Sequence, residues 1–76
     1  MDWDNLRYFL ELARLGTLAG AARRLSVEHT TVSRRIQALE KQMGVALFAR
    51  EAGGHLLTEA GRQLLPAVES MESAVL

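Results

Sequence analysis

The chain has 76 residues, 49% of them apolar, with nine basic residues balanced by nine acidic ones. That length supports one hydrophobic core and no second, and the apolar share argues against a disordered chain. With no cysteine there is no disulfide framework and no thiolate metal site, and no apolar run approaches the ~20 residues that span a membrane.

Met1 leads directly into the acidic Asp2-Trp3-Asp4-Asn5, so no secretory leader is visible and a cytoplasmic setting is expected. The first predicted helix covers Trp3 to Leu15. Trp3, Leu6, Phe9, Leu10 and Ala13 trace one face at helical spacing, and Asp2 or Asp4 can cap the start. Aromatic residues in such a stripe can line a ligand box, but helical spacing already accounts for them as core.

Gly16 fits the residue that closes this helix, and Thr17 fits the N-cap of the next. The second helix is short, with Ala21, Ala22 and Leu25 on its apolar face. Small residues let two helices cross closely, and Val27 in the following turn can plug the space between them. The set Ala22, Leu25, Val27, Val32 and Ile36 suits a helix-turn-helix. An ordinary helical hairpin in any small bundle is the plainer alternative.

The third helix, about residues 28–43, carries the strongest signal. Val32, Ile36, Leu39 and Met43 recur at a 4-3-4 spacing, which at about 100° per residue gives one narrow stripe. Thr30, Arg34, Gln37 and Lys41 lie opposite, with Thr31 and Ser33 on the flanks. A face that is merely solvated is richer in Glu and Lys. Hydroxyls, an amide and a guanidinium are the groups that read base edges and bind phosphates. On this stripe alone, an ordinary surface helix stays open as an alternative.

The zero net charge resolves by region. Residues 23–41 carry Arg23, Arg24, Arg34, Arg35 and Lys41 against Glu28 and Glu40, or +3, while residues 1–22 carry −1 and residues 42–76 carry −2. Positive charge is concentrated where a nucleic-acid face would lie. The two histidines, His29 and His55, fall in different predicted elements without an acidic partner at ligand spacing. Neither a metal nor a cofactor is expected.

Gly44 should end the third helix. Beyond it, Val45 to Phe48 and Leu56-Leu57 flank Ala52-Gly53-Gly54, which predicts a small two-stranded hairpin, or wing. Arg50 beside it either reaches a phosphate or pairs with Glu51 or Glu40. Thr58 starts a last helix with Glu59 near its positive end. Leu64 or Leu65, Val68, Met71 and Val75 form an apolar seam with little chain after it to cover it, so packing against a second copy is expected. Pro66 should kink this helix or mark a junction. The chain stops at Ala74-Val75-Leu76 without a cap, which suggests a helix cut short and a piece of a longer protein.

Taken in order, LRYFLELARLGTLAGAARRLSV, VSRRIQALEKQMG, LFAR and LLTEAG resemble the N-terminal DNA-binding domain of LysR-type transcriptional regulators, over residues 5 to about 65. Any one block is a weak signal, whereas the ordered set is specific. The resemblance implies a mainly α fold. Residues 1–57 would form a winged helix-turn-helix of three helices and a two-stranded wing. Residues 58–76 would begin a linker helix through which two chains dimerise. An effector-binding domain would follow, and a small-molecule effector would act only through it.

Carried over by position, base and phosphate contacts fall on His29, Thr30, Thr31, Ser33 and Arg34, with Arg50 at the wing, and Gln37 joins them from the outward face. The implied partners are double-stranded DNA with an inverted-repeat site and a second copy, held through Leu64, Val68, Met71 and Val75. Two departures stand out. Glu28-His29-Thr30 replaces the frequent Ser-Gln-Pro, which exchanges a good N-cap and a preorganised first turn for a charge and an extra hydroxyl. The wing tip lacks an additional Arg or Lys. Of the competing classes, a winged helix used for protein contact should show an apolar patch in place of this polar face. An enzyme should show a nucleophile–base set, a phosphate-binding glycine loop or a metal cluster, none of which the sequence contains.

Overall fold

The computed structural model describes residues 2–75. Met1 and Leu76, and the side chain of Val75, lie outside that description, and so do the expectations placed on the Val75 side chain and on the end at Leu76. The elements run α1 (Trp3–Leu15), α2 (Leu18–Leu25), α3 (His29–Met43), β1 (Phe48–Glu51), β2 (Gly54–Leu57) and α4 (Glu59–Val75). Three helices and an antiparallel hairpin thus precede a longer helix, as the sequence predicts.

The caps follow side-chain chemistry. Asp2 accepts from the Asp4 amide at the start of α1, and Gly16 closes it at φ 78°. The Thr17 hydroxyl accepts from the Gly20 amide and starts α2. Ser26 then takes a left-handed conformation at φ 58°, and the Val27 amide donates back to Ala22 O at 3.0 Å. This turn is tight enough for α2 and α3 to cross over the buried Ala21 and Ala22.

Phe9, Leu10, Leu12, Val32, Leu39, Leu47 and Val68 fill the core with almost no solvent exposure. Helix α1 buries a broader arc than its sequence stripe suggests. Tyr8 and Leu12 are buried along with Leu6, Phe9 and Leu10, because α1 packs against α2, α3, α4 and β2 together. Phe9 meets Phe48 of the wing with ring centroids 5.5 Å apart, so the aromatics of α1 are core.

The hairpin registers Phe48 with Leu57, Ala49 with Leu56, Arg50 with His55 and Glu51 with Gly54. Its turn is therefore Ala52-Gly53, with Gly53 at φ 86°, and Gly54 belongs to β2. Of the predicted run Val45–Phe48, only Phe48 lies in a strand. Two close approaches dock the hairpin and α4. The His55 amide donates to Gly16 O at 2.7 Å, and a Cβ on Gly54 would collide with that same carbonyl. A Cβ on Gly61 would overlap the Leu47 carbonyl, which accepts from the Thr58 amide at 2.9 Å.

Helix α4 narrows one expectation and corrects another. It runs unbroken across Pro66, so of the two readings, kink or junction, the junction is not realised. Its seam is also not left uncovered. Val68 has no exposed surface within a single chain, and Leu64 and Leu65 pack against the same core. The first half of α4 covers α1, a role that periodicity alone cannot separate from packing on another copy. Met71, 40% exposed, is the seam residue left at the surface among those described.

Candidate nucleic-acid interface

Helix α3 sits at the edge of the core with Val32, Ile36 and Leu39 turned inward. This fixes the opposite side outward. His29, Thr30, Arg34, Gln37 and Lys41 are exposed, and Thr31 and Ser33 are half-buried on the flanks. The described hydrogen bonds and ion pairs engage none of the side chains of His29, Thr30, Thr31, Ser33, Arg34 or Gln37. Glu28 takes the N-cap position without a side-chain cap hydrogen bond, and the first turn holds no acidic residue. The acid beside the positive end of the α3 dipole is therefore Glu28 at the N-cap, outside the first turn.

The wing stands beside this face. Phe48, Arg50 and His55 of the hairpin and Ser33, Ile36 and Gln37 of α3 line a cleft of ≈ 190 Å³. Arg50 thus shares one opening with two of the predicted α3 residues, while Leu56, on the other face of the hairpin, is 60% exposed. Of the two readings left open for Arg50, pairing with Glu40 is not realised. Glu40 instead accepts from the Leu47 amide at 2.7 Å and the Phe48 amide at 3.2 Å. No sequence pattern signals this role: a carboxylate on α3 terminates the loop into the wing and locks the two elements together. Glu51 is likewise absent from the described ion pairs.

The basic residues divide by role. Arg35 donates to Asn5 Oδ1 at 2.9 Å, lies 3.8 Å from Asp2 Oδ2 and stacks 5.3 Å from the Tyr8 ring centre. It is a strut between α3 and α1 and lies apart from the partner-free outward face, although it counts toward the positive charge of residues 23–41. Arg24 lies 3.9 Å from Glu11. Among the described residues Arg23, Arg34, Lys41 and Arg50 enter no ion pair. Opposite Arg50, the His55 ring meets Phe48 edge-on at 6.4 Å, and its Nδ1 is buried without a hydrogen-bond partner. No group of three or more His, Cys, Asp or Glu side chains suited to a metal occurs among the described residues, and no helix is long and apolar enough to cross a membrane.

Residues 3–62 match the family described as bacterial regulatory helix-turn-helix protein, lysR family. The chain belongs to the LysR family. This LysR-family chain is 45% identical over 65 residues to the HTH-type transcriptional regulator ClcR of Pseudomonas putida, covering 86% of this chain and 22% of ClcR. It is 40% identical over 74 residues to the Mau operon transcriptional activator of Paracoccus denitrificans, covering 97% of this chain and 26% of that protein. The crystal structure of a CbnR DBD–DNA complex superposes with a TM-score of 0.93 at 36% identity, covering 99% of this chain and 86% of that one. The LysR-family chain thus spans about a quarter of the length of the curated relatives it matches.

Proposed function

We propose that this chain binds double-stranded DNA sequence-specifically as the DNA-reading part of a transcriptional regulator, with α3 in the major groove and the wing on the adjacent backbone. The carrying observation is the outward face of α3. Six side chains that can donate or accept hydrogen bonds, His29, Thr30, Thr31, Ser33, Arg34 and Gln37, lie there without partners in the described hydrogen bonds and ion pairs. Arg34 has the fork that reads guanine, Gln37 the amide that reads adenine, and the hydroxyls suit either base edges or phosphates. Arg50, Arg23 and Lys41 add the free cations that hold the backbone. The CbnR complex, solved with DNA on the same fold, supports this assignment. The polar character of the face also argues against a protein-docking use.

Self-association through α4 belongs to the same reading, in altered form. Leu64 and Val68 are committed to this chain's own core, so a partner copy would rest on the exposed side that holds Met71, Ala67 and Ala74. These three positions fall within roughly 60° on the helix. Two copies joined there would present two α3 helices to an inverted repeat about one turn apart, ~34–36 Å, or a multiple of it.

A salt titration of binding to a duplex tests the reading. Each phosphate contact contributes about −0.9 to the slope of log K against log salt. The expected result is a steep slope that becomes shallower by about one unit per protomer for Arg50→Ala. Binding that ignores salt, or an Arg50→Ala slope equal to the parent's, would remove the wing from the interface.

A further inference from the structure

One interaction joins residues 58 positions apart at the outer edge of the molecule. Arg14, in the last turn of α1, reaches Glu72, near the end of α4, through two hydrogen bonds: Nη2 to Oε1 at 2.7 Å and Nη1 to Oε2 at 3.2 Å. Glu11 and Glu69 each stand 3.9 Å from the same guanidinium. We infer that the Arg14–Glu72 pair fixes the angle at which α4 leaves the body, and thereby selects the half-site spacing that two joined chains read. The spacing part rests on the α4-mediated pairing proposed above.

The geometry supports this in three steps. Val68 is the last residue of α4 described as fully buried, and the described residues after it are exposed except Glu72, which is half-buried. Apolar burial at Val68 holds the helix in place but is non-directional. A forked guanidinium–carboxylate pair is directional, and Glu72 lies one turn further out, about 6 Å along the axis. Contacts from Thr58 to Val68 hold the first half of α4 against the body, and the pair is the one described contact that carries this hold into the exposed last turns, where the helix could otherwise bend away.

The pair is also too exposed to be explained by stability. The two side chains are 37% and 28% exposed, and such pairs add little to folding. A bend in these last turns would have a large effect on reading. A change of about 10°, carried over the ~34 Å between two half-sites, displaces a reading helix by about 6 Å, or nearly two base pairs. Arg14 and Glu72 are thus positioning residues, which act on the site through α4 and touch no DNA.

The test uses the chain and its Arg14→Gln, Glu72→Gln and doubly substituted variants. The duplexes carry a half-site selected from random sequence by the parent, either alone or as inverted pairs with spacers varied one base pair at a time. The ratio of affinities for two spacers cancels the phosphate contribution, since both duplexes present equivalent backbones. Single half-site affinity should be the same in all four proteins. The preference for the best spacer over its neighbours should fall by on the order of fivefold in either single variant, the scale of one exposed pair per protomer. It should fall no further in the double. Residual dipolar couplings of α4 amides should show a fixed direction in the parent and a broadened one in each single variant. Unchanged spacer preference together with unchanged couplings, or losses that add in the double variant, would overturn the inference. A parent that sediments as a monomer and shows no spacer preference overturns the pairing on which the spacing part rests, and with it that part. The couplings still decide whether the pair fixes the angle.

Discussion

The two sides of this molecule treat charge in opposite ways. On the α1–α4 side, Arg14 is bound by Glu72, Arg62 by Glu59 at 2.6 Å, and Arg7 lies near Asp4. On the α3–wing side, Arg34, Lys41 and Arg50 enter no ion pair among the described residues; Glu40 is occupied by backbone amides, and Glu51 of the wing is absent from the described ion pairs. A net charge of zero therefore conceals a division: carboxylates satisfy the cations of the α1–α4 side, and these cations of the α3–wing side are left without ion-pair partners among the described residues. Only a spatial arrangement distinguishes the two uses, since Arg34 and Arg35 are adjacent in sequence and fall on opposite sides of the division.

The largest effect should come from placing charge where the structure permits none. Val68→Glu buries an unpaired carboxylate at a position with no exposure and should destabilise the fold by about 3–5 kcal/mol, measured by urea unfolding. Met71→Glu, at the exposed edge of the same helix, should change stability by less than ~0.5 kcal/mol and instead weaken self-association in sedimentation. A Val68→Glu effect as small as that expected of Met71→Glu would return Val68 to the seam facing a second copy that periodicity suggests.

Next come the neighbouring arginines. Arg34→Ala should lose about 1–3 kcal/mol of specific DNA affinity and relax selection at one base pair, with little change in unfolding. Arg35→Ala should do the reverse. Loss of its hydrogen bond to Asn5 and its contact with Tyr8 should cost about 1–2 kcal/mol of stability, with the pattern of base preference kept. A Tyr8→Leu background separates the stacking part.

The smallest effect concerns acid. The hydrogen bond from Arg14 holds the Glu72 carboxyl below its ordinary value of 4.5. A depressed folded-state pKa gives stability that is present above the ordinary value and is lost as pH falls through the depressed one. The melting temperature of the parent should exceed that of Arg14→Gln by a small, constant margin near neutrality. That margin should close as Glu72 protonates. A margin that persists at strongly acidic pH would mean that Arg14 acts through packing alone.

Much of this organisation is legible in the sequence because it rests on local chemistry. The caps at Asp2, Thr17, Gly16 and Gly44 follow from side-chain type, and the α3 stripe follows from its period. What the sequence hides is pairing over distance. Tyr8 and Leu12 fall outside the α1 stripe because α1 is covered from several directions, a property of the assembled fold. Val68 and Met71 occupy one stripe, yet one is core and the other surface, because a period reports that a helix buries a face and not what covers it. Arg35 enters the sequence only as part of a regional charge count and Glu40 only as a possible partner of Arg50, yet each is engaged by a group contributed from elsewhere in the chain. The hairpin is visible from its glycines, but the use of Gly53 for the turn and of Gly54 for close approach to the Gly16 carbonyl is a distinction that no local pattern encodes.

The central claim is that the partner-free face of α3 reads bases. Its most direct measurement is the affinity profile over every single base-pair substitution in a selected half-site, for the parent and for Arg34→Ala and Gln37→Ala. The account predicts a sharp profile for the parent, flattened at a different one or two positions by each substitution and unchanged elsewhere. Profiles that coincide for all three proteins, or that weaken uniformly at every position, would contradict it.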